Sequence, residues 1–225
     1  MIRAVLFDLD GTLLDRETCV RHCVEDQFQR FADRLAPVRL ADFRERFRQL
    51  EEHGYVPKEA VYQQMGVEFG FSPRLREALT ADYFLAYPAF CVGFRHMLET
   101  LRLLRDRGLK LAIVTNASSS FQRAAIAALK IEHLFDAIVI SEAEGVSKPD
   151  RRIFDLTLSR LGVAAGDAIF VGDHPDVDVR GAQEAGMRAI RKHDEYWGAC
   201  PHADAAITEL NQLTGILDRF DADRA

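Results

Sequence analysis

Short runs of apolar residues recur along the chain and predict the strands of a buried sheet. They do not alternate with polar residues, which is the pattern of strands covered on both faces and is typical of parallel sheets. Five runs are clear: Arg3–Asp8, Lys110–Thr115, Ala137–Ser141, Ala168–Gly172 and Arg188–Arg191. A sixth run, Ala205–Ile207, is plausible as a strand but short.

Between these runs the apolar residues follow the three- and four-residue spacing of helix faces. Ser118 to Ser120 offer an N-cap for one helix, and Pro149 suits the first turn of the next, which stops at Gly162. Strand and helix alternate from Leu98 to the C-terminus. This rhythm predicts an α/β fold with a mostly parallel sheet.

The alternation is interrupted between Asp15 and about Tyr87, where no convincing strand is found. Apolar residues such as Val20, Val24 and Phe28 keep helical spacing there. We therefore predict a helical domain over residues 16–87, inserted directly after the first strand. Residues 1–15 and 88–225 then form the α/β core, with Tyr87-Pro88 as the boundary.

Composition narrows the class of protein. The chain has 225 residues, 48% of them hydrophobic and 28% charged, enough to bury a core in one large or two small domains. No uncharged stretch exceeds 12 residues, well short of the roughly 20 that span a bilayer. The first apolar run is too short for a secretory signal, so the expected location is the cytoplasm. The net charge of −6 argues against nucleic-acid binding. The four cysteines are expected to be reduced.

Polar clusters follow four of the five clear strands. In an open parallel sheet, ligands bind outside the carboxyl ends of the strands, so these residues are expected to meet at one edge. The clusters are Asp8-Leu9-Asp10-Gly11-Thr12, Thr115-Asn116, Ser147-Lys148-Pro149 and Gly172 to Asp178.

Up to four carboxylates would share that crevice: Asp8, Asp10, Asp173 and Asp178. Like charges a few ångströms apart repel strongly when they are partly desolvated, so a cation must offset them. Oxygen ligands without matching Cys or His suit Mg²⁺.

The remaining polar residues at the strand ends point to the ligand. Lys148, one of only five lysines, adds a positive charge, while Thr115 and Asn116 supply neutral donors. Donors, a lysine and magnesium around a carboxylate form a site for a phosphoryl group.

These motifs, in this order, resemble those of the haloacid dehalogenase superfamily, and specifically of its phosphatases. The resemblance covers residues 1–15 and about 88–207, and it implies a Rossmann-like core. The helical insertion resembles the small α-helical cap of one large subgroup in position and helical character only. The motifs that carry the resemblance are Asp8-Leu9-Asp10-Gly11-Thr12, Thr115-Asn116, Lys148-Pro149, and Gly172-Asp173 with Asp178.

The resemblance implies a Mg²⁺-dependent phosphatase that acts on a small phosphorylated metabolite through an aspartyl-phosphate. Asp8 would be the nucleophile, and Asp10 would protonate the leaving oxygen and then activate water. Asp8, the backbone carbonyl of Asp10 and Asp173 would ligate the metal, with Asp178 supporting the site from nearby or through water.

The phosphoryl oxygens would then be held by Thr115, the backbone of Asn116 and Lys148. The helical cap would close over the nucleophile, exclude bulk water and select the leaving group. From the net charge and the short uncharged stretches, neither a nucleic-acid nor a membrane partner is expected. The sequence leaves open the particular substrate, and whether the protein is a monomer or a homodimer.

The sequence is compatible with several alternatives. Asp176 could replace Asp178 as the second acid, and His174 could shape the loop or act in catalysis. A dehalogenase would lack the acid at Asp10, whereas a phosphomutase keeps the same motifs. A phospho-accepting signalling domain also joins acids, Mg²⁺, Thr and Lys, but it has no helical insertion after the first strand.

Two features of the predicted helical domain have competing interpretations. Cys19 and Cys23 lie four residues apart with His22 beside them, which would suit zinc if a fourth ligand were evident. Buried thiols that pack as small apolar groups are the other interpretation. The arginines at 44, 46 and 48 would form a solvated face, from which one could reach a substrate.

Overall fold

The computed structural model describes residues 1–223, and its core is a six-stranded sheet in which every neighbouring pair is parallel. The strand order is β3-β2-β1-β4-β5-β6, so the predicted mostly parallel α/β sheet is confirmed. The strands are β1 (Ala4–Phe7), β2 (Lys110–Thr115), β3 (Ala137–Ile140), β4 (Ala168–Gly172), β5 (Arg188–Lys192) and β6 (Ala205–Ile207).

The order of the strands fixes where a ligand can bind. After β1 the chain builds β2 and β3 on one side, and then returns to place β4 on the other side of β1. Strand order therefore reverses between β1 and β4, which is where open parallel sheets hold their ligands. Residues Phe7 and Val171 are paired across this junction, and Asp8 N–H donates to the Val171 carbonyl at 2.9 Å.

Helices cover the sheet and bury its apolar residues. Leu6 of β1 and Phe170 of β4 are fully buried, and Phe154 packs edge to face on Phe170 with ring centroids 5.3 Å apart. The helices that follow or connect the strands after residue 92 are α6 (Met97–Asp106), α7 (Ser119–Leu129), α8 (Ser141–Glu144), α9 (Arg151–Leu161), α10 (Gly181–Glu184) and α11 (Leu213–Ala222). A π-helical turn lies at Pro175–Arg180, and short 3-10 turns lie at Glu132–Leu134, Ala165–Asp167 and Leu210–Gln212. The first five α-helices of the chain belong to the inserted segment.

The predicted helix start at Pro149 is wrong. Helix α9 begins at Arg151, because the Asp150 carboxylate accepts the backbone N–H of Arg152 at 2.9 Å and thus makes Asp150 the N-cap. Pro149 lies one residue before that cap. Helix α7 begins at Ser119 with Ser118 at the N-cap position, as the serine run predicts.

The described chain divides into two compact units: a core unit, Met1–Asp15 with the chain from Val92 onward, and a helical unit, Arg16–Cys91. The return to the core thus lies at Val92 rather than at Pro88. Tyr87–Phe90 forms a 3-10 turn that belongs to the helical unit, with Tyr83 and Tyr87 rings 5.5 Å apart.

The helical unit contains no strand among its described residues, and its interior is aromatic. Phe47 is buried between Tyr62 and Tyr83, with ring centroids 5.5 and 5.6 Å away. Its helices are α1 (Arg16–Arg30), α2 (Ala32–Leu35), α3 (Leu40–Glu51), α4 (Lys58–Phe69) and α5 (Pro73–Ala86), with a 3-10 turn at Glu52–Gly54.

The zinc hypothesis for this unit has no geometric support. Cys19 and Cys23 are fully buried on one face of α1, whereas His22 is exposed. Within the described residues these three side chains do not bring ligand atoms together as a metal site requires. The thiols pack as small apolar groups, and burial raises the pKa of Cys23 to about 12.

The arginines of α3 form a solvated face, as one of the two interpretations holds. Arg44 pairs with Glu25 at 2.7 Å, and Arg46 pairs with Glu68 at 2.6 Å.

No helix within residues 1–223 is long and apolar enough to cross a bilayer.

Candidate active site

The nucleophile candidate lies at the carboxyl end of the central strand. Asp8 directly follows β1, and its side chain is almost completely buried. The Lys148 ammonium donates to Asp8 Oδ1 at 2.6 Å and to Asp178 Oδ1 at 2.7 Å. Lys148 is itself 4% exposed, so its charge acts in a poorly solvated environment and bridges the two acids.

Two more acids come from the loop after β4. Asp173 follows the last residue of that strand, and Asp178 lies in the π-helical turn, where Oδ2 accepts the backbone N–H of His174 at 3.0 Å. Carboxylate oxygens of Asp8, Asp173 and Asp178 all lie within 4.8 Å of one another. Asp176 is exposed and pairs with Arg180 at 3.3 Å instead.

Glycine 11 makes room for this cluster. Its φ of +77° is a conformation that L-residues with a side chain rarely adopt. A Cβ at this position would lie 2.5 Å from Oδ2 of Asp173. The chain can therefore turn after Asp10 and still leave space for the Asp173 carboxylate.

The cluster carries more negative charge than its lysine offsets. Burial raises the pKa of Asp8 to about 7 in spite of the attraction of Lys148. Burial and then repulsion from Asp178 and Asp8 raise the pKa of Asp173 well above its usual range. Burial alone would lower the pKa of Lys148, but Asp178 and Asp8 raise it above its ordinary value.

These charges fit a divalent cation. Three carboxylates meet one ammonium, the ligand atoms are all oxygens, and the spacing is short enough for one ion to contact several of them. Such hard oxygen ligands suit Mg²⁺, which also keeps positions for water and phosphate oxygens. A metal site is therefore consistent with the residues present.

The phosphate-binding candidates lie on the neighbouring strand and loop. Thr115 is the last residue of β2 and is 1% exposed, whereas Asn116 is exposed. The Asn116 amide donates to the Lys148 carbonyl at 2.8 Å, and its Oδ1 accepts the Lys148 N–H at 2.9 Å. The Asn116 side chain thus fixes the loop that presents Lys148, a positioning contact that its strand-end location did not predict.

Asp10 has a partner that the sequence interpretation missed. Gln122 of α7 is fully buried, and its amide donates to Asp10 Oδ2 at 2.6 Å and to Thr115 Oγ1 at 2.9 Å. The available signal was its spacing, because Gln122 lies on the buried face of α7 with Ala125, Ile126 and Leu129. A polar residue on an apolar helix face needs a partner.

Trp197 was also missed. Its indole Nε1–H donates to Asp173 Oδ2 at 2.9 Å, and its ring lies on that of His174 with centroids 4.1 Å apart. No periodic pattern marks the loop between β5 and β6. His174 shapes its own loop, since its Nδ1 accepts backbone N–H groups from Asp176 and Val177, both at 3.1 Å.

Known proteins share this sequence pattern and fold. The profile of the haloacid dehalogenase-like hydrolases matches residues 5–192, and the chain belongs to that family. It is 32% identical over 231 residues to the glyceraldehyde 3-phosphate phosphatase of Methanopyrus kandleri, covering 97% of both chains. It is 31% identical to the phosphoglycolate phosphatase of Pectobacterium atrosepticum, covering 97% of this chain and 89% of that one.

A solved structure agrees. The haloacid dehalogenase-type phosphatase of Thermococcus onnurineus superposes with a TM-score of 0.69 and 29% identity, over 96% of this chain and 98% of that one. The predicted superfamily, its Rossmann-like core with a helical insertion, and its enzyme class, a phosphoric monoester hydrolase, are thereby confirmed.

Proposed function

We propose that the protein hydrolyses a small phosphomonoester in two steps, through a phosphorylated Asp8, with Mg²⁺ as its cofactor. In the first step a carboxylate oxygen of Asp8 attacks phosphorus. The bond from phosphorus to the leaving oxygen breaks, and that oxygen takes a proton from Asp10. In the second step water attacks phosphorus, Asp10 accepts its proton, and the bond from phosphorus to the Asp8 oxygen breaks, which releases inorganic phosphate and restores the Asp8 carboxylate.

The observation that carries this proposal is the setting of Asp8. It is buried at the point where strand order reverses, and the Lys148 ammonium lies 2.6 Å from it. A buried carboxylate held by a fixed cation is an oriented nucleophile, and the same cation can attract the phosphoryl group.

The contact between Gln122 and Asp10 supports the acid and base role of Asp10. The amide donor at 2.6 Å fixes one carboxylate oxygen, Oδ2, so that the other is available for proton transfer. Asp10 is also less buried than Asp8. This exposure suits a group that must reach both the leaving oxygen and a water molecule.

Asp8, Asp173 and the backbone carbonyl of Asp10 would hold the Mg²⁺, with Asp178 supporting them directly or through water. When bound, the ion offsets the charge of the carboxylates and of the phosphoryl group and so permits two anions to approach. Thr115, the backbone of Asn116 and Lys148 would bind the remaining phosphoryl oxygens. The short distance between Lys148 and Asp178 supports a joint role for them.

The substrate class we propose is a phosphorylated metabolite of a few carbon atoms. The names of the two full-length relatives, which act on glyceraldehyde 3-phosphate and phosphoglycolate, support this choice. A panel of such compounds, assayed for released phosphate with Mg²⁺ and with EDTA, tests substrate and cofactor together. Release of phosphate also distinguishes hydrolysis from transfer within one sugar.

The Asp8→Asn variant tests the mechanism. We expect phosphate release to fall by at least about 10³-fold, because an amide cannot act as the nucleophile, while the circular dichroism spectrum stays that of the wild type. The matched control is Asp176→Asn, which removes an exposed acid from the loop after β4 and should leave activity within twofold. Appreciable turnover by Asp8→Asn would refute the aspartyl-phosphate mechanism.

A further inference from the structure

The loop between β5 and β6 reaches the carboxylate cluster through a hydrogen bond from Trp197. Trp197 Nε1–H donates to Asp173 Oδ2 at 2.9 Å, and the same oxygen lies over the open face of Gly11. Asp173 is 5% exposed, so this bond is made in a poorly solvated site, where a lost donor is costly.

Arg191, in β5, fixes the loop that carries this indole. Its guanidinium donates to the carbonyls of Gly198 at 2.8 Å and Trp197 at 3.0 Å, and it approaches that of Asp194 at 3.5 Å. Arg191 is 4% exposed, and its planar, rigid group gathers the loop backbone around one buried point. The indole therefore has a defined position relative to the sheet.

A ring contact with the loop after β4 adds a second restraint. The Trp197 ring contacts the His174 ring at an interplanar angle of 43°, and the backbone N–H of His174 donates to Asp178 Oδ2 at 3.0 Å. The loops after β4 and β5 thus support each other beside two of the three clustered acids.

We propose that Trp197 is a positioning residue for the metal: its N–H holds Asp173 Oδ2 and so fixes the orientation in which this carboxylate would ligate Mg²⁺. This inference rests on the proposed function, because it assigns Trp197 a part in the same metal site. It makes the chain from Arg191 through Trp197 to Asp173 a determinant of metal affinity.

The physical reason is orientation. A carboxylate can rotate about its side-chain bonds, and a ligand that must be immobilised when the ion binds weakens the binding. A fixed donor on one oxygen removes that cost in advance. Groups that orient metal ligands in this manner typically contribute 10- to 100-fold to affinity or activity.

The test compares Mg²⁺ affinity in three proteins by isothermal titration calorimetry without substrate. Trp197→Phe keeps an aromatic ring against His174 and removes the N–H, and we expect the dissociation constant for Mg²⁺ to rise about tenfold. Tyr196→Phe is the control, since it changes the neighbouring exposed aromatic residue of the same loop and should stay within twofold. Urea unfolding of each variant separates a change in stability from a change in affinity.

The wild-type protein offers a measurement that needs no variant. Trp197 is the sole tryptophan of the chain, so the tryptophan fluorescence reports on the surroundings of this indole. We expect the emission to change as Mg²⁺ is added, and this titration to give the dissociation constant found by calorimetry. The reason is that bound Mg²⁺ would offset the negative charge of Asp173 beside the indole.

The outcomes distinguish this inference from the proposed function. Wild-type protein that binds no Mg²⁺ would overturn both. Three results would overturn the role of Trp197 alone, provided that the wild type binds Mg²⁺. They are an unchanged affinity in Trp197→Phe, an equal loss of affinity in Tyr196→Phe, and tryptophan emission that does not change when Mg²⁺ is added. A tenfold loss confined to Trp197→Phe, with the fluorescence change in the wild type, supports it.

Discussion

Replacing Gly11 with alanine should separate the backbone role of this glycine from its role in the carboxylate cluster. The φ of +77° would force alanine into the left-handed region, at a cost of about 1–2 kcal/mol. The new Cβ would also lie 2.5 Å from Asp173 Oδ2 and 2.8 Å from Asp173 Cγ. Because non-bonded atoms prefer separations of about 3.5 Å, the Asp173 carboxylate must retreat by about 1 Å.

If Asp173 holds the metal as proposed, a displacement of that size is costly for the reaction. Misplacement by about 1 Å can reduce turnover on the order of 10²-fold. We therefore expect Gly11→Ala to lower the free energy of unfolding by about 1–2 kcal/mol and the rate of phosphate release by about 100-fold.

Gly108→Ala is the matched control. Gly108 has the same φ of +77°, but a Cβ there would have no neighbouring heavy atom within 4 Å. It should lose the same 1–2 kcal/mol, again from the left-handed backbone alone, and keep its activity within about twofold. Urea unfolding and steady-state phosphate release measure the two effects separately. Equal activity in the two variants would refute the argument that Gly11 is needed for the position of Asp173.

Two further substitutions test buried polar side chains that each have two partners. Burial alone would raise the pKa of Glu51, but its ion pairs with Arg16 and Lys58 lower this pKa from 4.5 to about 2. The shift corresponds to roughly 3 kcal/mol of folding stability above pH 4.5. This stability is lost as the pH falls toward 2. Urea unfolding should therefore show Glu51→Gln less stable by about that amount at pH 7, with a gap that narrows at pH 3; a constant gap would contradict the ion-pair argument. Gln122→Leu should reduce kcat about tenfold by freeing the carboxylate of Asp10, and kinetics equal to wild type would show that this contact is dispensable.

The strands of the core could be predicted because burial on both faces leaves a direct trace in the sequence. A run such as Ala168–Gly172 is fully buried in the structure, and only a continuous apolar run can satisfy that environment. The grouping of Asp8, Asp173, Asp178 and Lys148 at one edge of the sheet could be predicted for a related reason. Polar residues that directly follow buried strands must lie at one edge of a parallel sheet, and the structure does bring Asp8, Asp173 and Asp178 together there.

The residues that orient those acids left weaker traces. Trp197 lies in a loop without periodicity, and its partner Asp173 is 24 positions away in the chain. Gln122 resembles any polar residue of a helix until the buried face of α7 is known. Hydrogen bonds between distant positions depend on the packed structure, so neither local propensity nor spacing could predict them.

Element ends were the other uncertain point. Pro149 suits the first turn of a helix in general, yet the Asp150 carboxylate captures the N–H of Arg152 and moves the start of α9 two residues on. Similarly, Tyr87-Pro88 is a natural break in sequence, but Tyr87–Phe90 folds as a further turn of the helical unit.

The two segments at which the chain leaves and re-enters the core are paired with each other. Leu14 forms an antiparallel bridge with Gly93, and the N–H of Asp15 donates to the Val92 carbonyl at 3.0 Å. The inserted helices therefore begin and end on adjacent backbone positions, as a loop does in a hairpin. An insertion of this kind can be lengthened, shortened or exchanged for another domain without altering the order of the strands behind it. Evolution and protein engineering can thus vary the inserted domain while the strands of the core keep their order and register.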